Sequence, residues 1–219
     1  MSSRKNVQCS QCFSLERTRL LWLYLQRLPL APHHKVLHIA PELGLYQALA
    51  KRINKENYIV ADISPDRYPF VENCIKIDLS DLESQPSREF DLILHSHVLE
   101  HVPCNIAYTL FHLHRMLKDS GRHFFVVPFT PGKYEENFQD LSYAERCQRF
   151  GQHDHVRLFG RKDIGAHLGK LLRLPADIDV TRDFTPEELL EANIPESCWR
   201  EFQGCAVFNL GRSDMKFLP

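Results

Sequence analysis

Apolar residues in this chain fall into short, dense runs separated by stretches of longer period. Residues 35–40, Tyr58 to Ala61, Cys74 to Ile77, residues 90–95 and His123 to Val127 are compact runs that stop at polar or turn-forming residues: Asp62, Asp78, Ser96-His97 and Pro128. Such runs predict buried strands. Between them the period is helical. Residues 14–28 put Leu21, Leu25 and Leu28 on one face, with Ser14 as N-cap and Pro29 and Pro32 as terminators. Residues 44–54 turn Leu45, Leu49 and Ile53 inward, and residues 105–118 predict a helix ended by Gly121. The links after the second and third strands are only about ten residues, so both predict tight, mostly non-helical crossovers. Beyond Pro128 the pattern weakens. Residues 140–149 and 161–172 look helical, and residues 187–193 look like a short helix capped by Thr185. Residues 177–180 and 205–210 look like strands that pair antiparallel at a sheet edge.

Alternating strand and helix signals from residue 35 to 127 predict an α/β fold on a mostly parallel sheet. No repeat or linker divides the 219 residues, so residues 1–219 are expected to form one domain. Its parts are residues 1–30 with a cysteine pair and helix, a 35–130 core, and a 131–219 segment with an insertion on the acceptor side and the C-terminal strands.

Composition narrows the function classes. The formal net charge is −1, so no basic excess marks a nucleic-acid or membrane partner. Met1 to Val7 is polar, and no apolar run is long enough to span a bilayer. The seven scattered cysteines fit a reduced, cytoplasmic protein better than a disulfide framework.

The chemistry-bearing residues sit where the strands end. In order they are Val36-Leu37-His38-Ile39-Ala40-Pro41-Glu42-Leu43-Gly44, then Val60-Ala61-Asp62-Ile63-Ser64-Pro65, then Asp78-Leu79, then Phe90-Asp91-Leu92-Ile93-Leu94-His95-Ser96-His97-Val98-Leu99-Glu100-His101-Val102. This succession resembles the class I S-adenosylmethionine-dependent methyltransferases. The N-terminal helix and the run Phe150-Gly151-Gln152-His153-Asp154-His155-Val156-Arg157 resemble a bacterial subgroup in which a cysteine knuckle often precedes that helix. The resemblance implies a Rossmann-like fold, a seven-stranded, mostly parallel sheet with an antiparallel C-terminal edge strand, and S-adenosyl-L-methionine as cofactor.

It also implies roles. Asp62, with Ile63 beside it, would accept the ribose hydroxyls; the plainer reading is a turn carboxylate before Ser64-Pro65. Asp78 and Leu79 would meet the adenine, or simply form a turn. His38, Ala40, Glu42 and Gly44 form the first loop. Ala40 and Glu42 stand where the family has glycines, and His38 where an acid is usual, so Glu42 is expected to contact the donor's ammonium. His95 would pack the cofactor.

His153 or His155 is the first choice for the base that takes a proton from the acceptor, and His97 the second. In an extended strand His153 and His155 would face one way and Asp154 the other. Arg17, Arg19, His101 and Arg157 are expected to bind substrate; for Arg17 and Arg19 a solvated helical face is the plain alternative. No metal is expected. His97, Glu100 and His101 offer too few ligands in the wrong order for a zinc protease site, and Cys9 and Cys12 make half a zinc knuckle unless Cys198 or Cys205 completes it.

The predicted reaction is in-line methyl transfer to a small-molecule acceptor. A silent cofactor-binding module is the alternative. An NAD(P)-dependent oxidoreductase is disfavoured because the first loop lacks Gly-x-Gly-x-x-Gly, and an amino-methylating DNA enzyme because no Asn-Pro-Pro-Tyr follows the fourth strand.

Overall fold

The computed structural model describes residues 7–218; Met1 to Asn6, most of the polar N-terminal stretch noted above, lie outside them. Helix α1 (Glu16–Gln26) leads into β1 (Val36–Ile39), α2 (Leu43–Ala50), β2 (Tyr58–Asp62), β3 (Cys74–Lys76), β4 (Phe90–Ser96), α3 (Ile106–Met116) and β5 (Leu117–Val126). The second half adds β6 (Phe129–Thr130), β7 (Glu135–Glu136), α4 (Tyr143–Phe150), β8 (Arg157–Gly160), α5 (Leu168–Leu171), α6 (Pro186–Glu191) and β9 (Val207–Gly211).

The main sheet has six strands in the order β3-β2-β1-β4-β5-β9, and only β9 runs antiparallel to its neighbour. The expected seventh strand, at residues 177–180, is instead a 3-10 turn at Val180–Arg182 with one bridge, Asp179 to Arg200. Its Asp179 side chain accepts from the Thr181 backbone N–H and from its hydroxyl, so the local turn outcompetes a strand. A small second sheet, β6-β8-β7, has no counterpart in the sequence reading, because its strands are too short to show a period.

Central strands are buried on both faces, as a parallel sheet requires. Leu92 and Leu94 of β4 pack with Leu21, Leu25, Leu45 and Leu49 on one side, while Ile93 packs with Leu113 and Met116 of α3 on the other. The links after β2 and β3 carry no crossover α-helix, as predicted.

Two boundaries differ for physical reasons. Ser14 does not cap α1; its hydroxyl accepts from Cys12 Sγ, and Leu15 holds the N-cap position. Gly121 does not end α3, which stops at Met116. It sits in the irregular stretch of β5 between Leu117, which pairs with Phe90, and Arg122, which pairs with Leu92, and an added Cβ there would lie 2.7 Å from the Phe90 carbonyl oxygen. Among the described residues no helix is long and apolar enough to cross a membrane.

Candidate active site

The C-terminal ends of β1, β2 and β4 and the segment after β3 open onto one cavity of about 390 Å³. That is within the usual range for a small-molecule site and lies where a parallel sheet presents its loops. Ala40 leaves β1 at φ 50° and His97 leaves β4 at φ 54°. Both are left-handed conformations that a residue with a Cβ adopts only under constraint, and they turn the chain away on two sides of the cavity.

Of the residues singled out in the sequence, Ala40, Asp62, Ile63, Asp78, Leu79, His97 and His101 line this cavity together. Asp62 Oδ1 accepts from the Ser64 backbone N–H at 2.8 Å, and Oδ2 from the Tyr68 hydroxyl at 3.0 Å. A carboxylate has about four acceptor positions, so each oxygen keeps one for a ligand diol. Burial, with the Asp62 carboxylate next, pushes the Tyr68 hydroxyl well above its ordinary range, so Tyr68 stays a donor. Asp78 Oδ1 is taken by the Ser80 N–H and hydroxyl at 2.8 and 2.6 Å, leaving Oδ2. Ile39, Leu79, Val98 and Val102 give apolar walls. Acceptors for a diol and an amino group, flanking an apolar slot, fit an adenosine.

Arg67, Tyr68 and Asp154 also line the cavity, and the sequence reading assigned them no role there. Tyr68 follows Asp62 by a 3-10 turn, Pro65–Arg67, that has no periodic signature. Asp154 lies between two histidines in sequence, which gives no sign that it reaches the cavity.

Several predicted residues are placed elsewhere. His38 is buried in β1 with Nδ1 2.7 Å from the Tyr58 hydroxyl, and burial pulls its pKa down to about 3, so it is a neutral core residue outside the cavity. His95 is fully buried too, with Nε2 3.1 Å from His123 Nε2. Glu42 is held by Arg17 Nη2 at 2.8 Å and the Thr18 hydroxyl at 2.6 Å. Its carboxylate is thus occupied by α1, while Arg17 Nε also donates to the Ser96 hydroxyl at 3.2 Å. Arg17 therefore ties the loop after β1 to the end of β4. Gly44 faces the N-terminal segment, where an added Cβ would lie 3.1 Å from Cys12 Sγ; its small size admits a polypeptide, not a cofactor. Arg19 donates to the carbonyls of Ser14, Ala192, Asn193 and Val7, which leaves it a clamp between chain segments.

The downstream run splits in the same way. It is a turn rather than an extended strand up to Asp154, so His153 and His155 do not share a face. His153 is exposed and stacks on Tyr143 with ring centroids 4.9 Å apart, away from the cavity. His155 is buried, and its ring meets that of His101 edge-on at 4.7 Å. Glu100, wholly buried, lies 3.4 Å from His97 Nδ1, and desolvation raises its carboxyl to about 8. Desolvation lowers His97 to about 3 and lowers His101 and His155 as well, so all three rings are neutral near pH 7.

Arg157 is fully buried and does not reach the cavity. Its Nη1 donates to the Leu99 carbonyl and Nη2 to the Cys104 carbonyl, bracing the loop that carries Glu100 and His101. Arg157→Ala would strand both carbonyls and is expected to cost about 3 kcal/mol, lowering the melting midpoint by roughly 6–12 °C. A melting curve within 2 °C of the wild type, on the order of 1 kcal/mol or less, would remove this brace.

Cys9 and Cys12 flank a tight turn, with the Phe13 N–H donating to the Cys9 carbonyl. Cys198 and Cys205, with Cα atoms 5.6 Å apart, are joined by a disulfide, so they neither complete a site with the first pair nor remain free thiols as composition suggested.

A family model described as "Methyltransferase domain" matches residues 15–170. No curated protein matches the sequence. Among solved structures, the chain is similar to the YcgJ protein of Bacillus subtilis, with 18% identity, 81% of this chain and 78% of that one covered, and a TM-score of 0.50. It is also similar to a chain in the complex of the Haloferax volcanii Trm112 methyltransferase activator with a candidate methyltransferase. There the identity is 15%, the coverage 82% and 83%, and the TM-score 0.51.

Proposed function

We propose, since this chain belongs to the methyltransferase-domain family and is an S-adenosylmethionine-dependent methyltransferase, that its acceptor is a small molecule and that residues 7–218 work as one catalytic unit. The observation that carries this reading is that one cavity has Asp62 and Asp78 at the adenosine-like end and His97, His101 and Asp154 at the other. A net charge of −1 gives no extended electrostatic footprint for a nucleic acid.

In this reading Asp62 holds the ribose diol, Asp78 Oδ2 takes the adenine amino group, and Ile63, Leu79, Val98 and Val102 cover the ring. The bound donor supplies an electrophilic methyl carbon. The chain's part is to orient and dehydrate the reactants. Arg17 holds the loop after β1 against the end of β4, which fixes the floor on which the donor's amino-acid part would rest. His97 and Asp154 are the polar groups that would face an acceptor. His97 Nε2 lies 3.1 Å from the Gly204 carbonyl, which can only accept, so this nitrogen carries the proton and Nδ1 is the unprotonated one.

Thermal denaturation with S-adenosylhomocysteine, S-adenosylmethionine and NAD tests the cofactor half. The first two are expected to raise the midpoint and NAD to leave it unchanged, because only a native-state ligand stabilises. A shift with NAD alone would overturn the site assignment. A panel of amine, phenol and carboxylate acceptors tests the rest: turnover confined to oligonucleotide or protein acceptors would refute a small-molecule substrate. The second reading, a donor-binding module without turnover, is favoured by one observation. Glu42, expected to contact the donor, is already satisfied by Arg17 and Thr18. Donor binding with no turnover on any acceptor class would select it.

A further inference from the structure

The geometry points to a divalent-cation site built from Glu100, His101 and His155 at the acceptor end of the cavity, taking a first-row ion such as Zn²⁺ or Co²⁺. One ligand atom from each residue lies within 4.8 Å of the other two. Both carboxylate oxygens of Glu100 are buried and have no hydrogen-bond partner among the described residues. A fully buried carboxylate in that condition is costly unless a cation or a proton meets it.

In both rings Nδ1 faces a backbone carbonyl oxygen. His101 Nδ1 lies 3.3 Å from the Asp154 carbonyl oxygen and 3.4 Å from Asp154 Oδ2. His155 Nδ1 lies 3.2 Å from the Phe150 carbonyl oxygen. Carbonyl oxygens only accept, so Nδ1 bears the proton in both rings and each Nε2 keeps its lone pair. A ligating histidine commonly donates its second N–H to a carbonyl or carboxylate in this manner, which fixes ring and tautomer. Two imidazoles and one carboxylate match the three-ligand sets of zinc sites that keep a position open, or the facial triad of divalent iron.

Ligand bonds of about 2.0–2.1 Å span at most about 4.2 Å across an ion, so atoms that already lie within 4.8 Å of one another need little approach to share one. The spacing in the sequence understated this site. His97, Glu100 and His101 were counted alone, whereas the third ligand comes from beyond α4. His155 is brought there because the Val156 N–H donates to the Glu100 carbonyl at 2.9 Å. His101 borders the cavity, and so, resting on the methyl-transfer reading, the open position is where an acceptor oxygen or nitrogen would bind.

Co²⁺ titration of chelator-stripped protein without donor, followed by visible absorption and equilibrium dialysis, separates this site from the thiols. One equivalent is expected to bind with d–d bands and no thiolate charge-transfer band. Glu100→Gln and His155→Gln are each expected to weaken binding at least tenfold. The shift in melting midpoint with S-adenosylhomocysteine, measured on the same variants, is expected to persist; it also reports that they fold, and its loss in the wild type would refute the donor site without touching the cation site. His101→Asn gives a third probe should His155→Gln fail to fold. No uptake by the wild type, uptake with only a thiolate band, or affinity unchanged in the folded variants would each overturn the cation site.

Discussion

Asp62→Ala is expected to lose at least 100-fold in affinity for S-adenosylhomocysteine. Two hydrogen bonds to an ionised carboxylate contribute about 1.5 kcal/mol or more each, and about 3 kcal/mol is a factor above 100 in the dissociation constant. Asp62 is buried at the tip of β2 and lines the cavity wall. The same carboxylate shapes its own loop through Ser64 and Tyr68, and the alanine variant disturbs that loop as well. Asp62→Asn separates the two effects. The amide oxygen retains the bond from the Ser64 N–H, while the NH₂ group can accept neither from the diol nor from the Tyr68 hydroxyl, which must turn to accept from it, so a loss of roughly tenfold is expected. Calorimetric titration of the three proteins decides the matter: an alanine variant that binds like the wild type would remove Asp62 from the cofactor site.

The second large effect is acid unfolding driven by a buried chain of histidines. His114 Nδ1 lies 3.1 Å from the Gly211 carbonyl oxygen and must donate to it. Its Nε2 therefore accepts from His123 Nδ1 at 3.2 Å, and His123 Nε2 accepts from His95 Nε2 at 3.1 Å. All three rings are fully buried, and every proton in the chain is assigned by the carbonyl at its end. Protonating any internal nitrogen sets two N–H groups against each other. Burial is the main cause that lowers His95 to about 3, His114 to about 4 and His123 well below its ordinary value; His38, in β1, is lowered to about 3 by burial alone.

Each folded pKa lies below the unfolded value of about 6.5, so the unfolded chain binds the extra protons. The stabilisation from neutral rings is complete above about pH 6.5 and is lost as pH falls toward the folded values. Each ring contributes a slope of at most about 1.4 kcal/mol per pH unit in that window. Four such rings acting together are enough to exhaust a typical stability of about 5–15 kcal/mol within a few pH units. Cooperative unfolding between about pH 4 and 5.5 is expected in urea-free buffer, with a melting midpoint that drops steadily below pH 6.5. A midpoint that is flat from pH 7 to pH 5 would contradict this account.

Much of the architecture was legible from local pattern. Runs such as Val36–Ile39 and Phe90–Ser96 are apolar on both faces, and that alone indicates central parallel strands. Thr185 was readable as a cap because the capping box is a local motif; its hydroxyl accepts from the Glu188 N–H at 3.2 Å, and Glu188 returns the bond. Asp62 and Asp78 were readable because a strand end places its next residue in the crevice whatever else the chain does. The short strands β6 and β7, each of two residues, were not readable, because pairing with β8 rather than any period defines them.

The charged and aromatic nitrogen residues divide differently. Arg17, Arg19 and Arg157 look alike as candidates for binding an anion, yet Arg19 donates to a carbonyl 174 positions away and Arg157 to one 58 positions away. His153 and His155 are two residues apart, and one is exposed while the other is buried against His101. Local order along the chain thus settled the class of fold, the strand ends and the carboxylates that sit on them, since periodicity and chain reversal involve near neighbours only. Which guanidinium is a brace, which imidazole is core and which carboxylate is left without a partner were settled by packing. Each of those outcomes depends on a donor or acceptor supplied by a distant segment, and no spacing between residues encodes it.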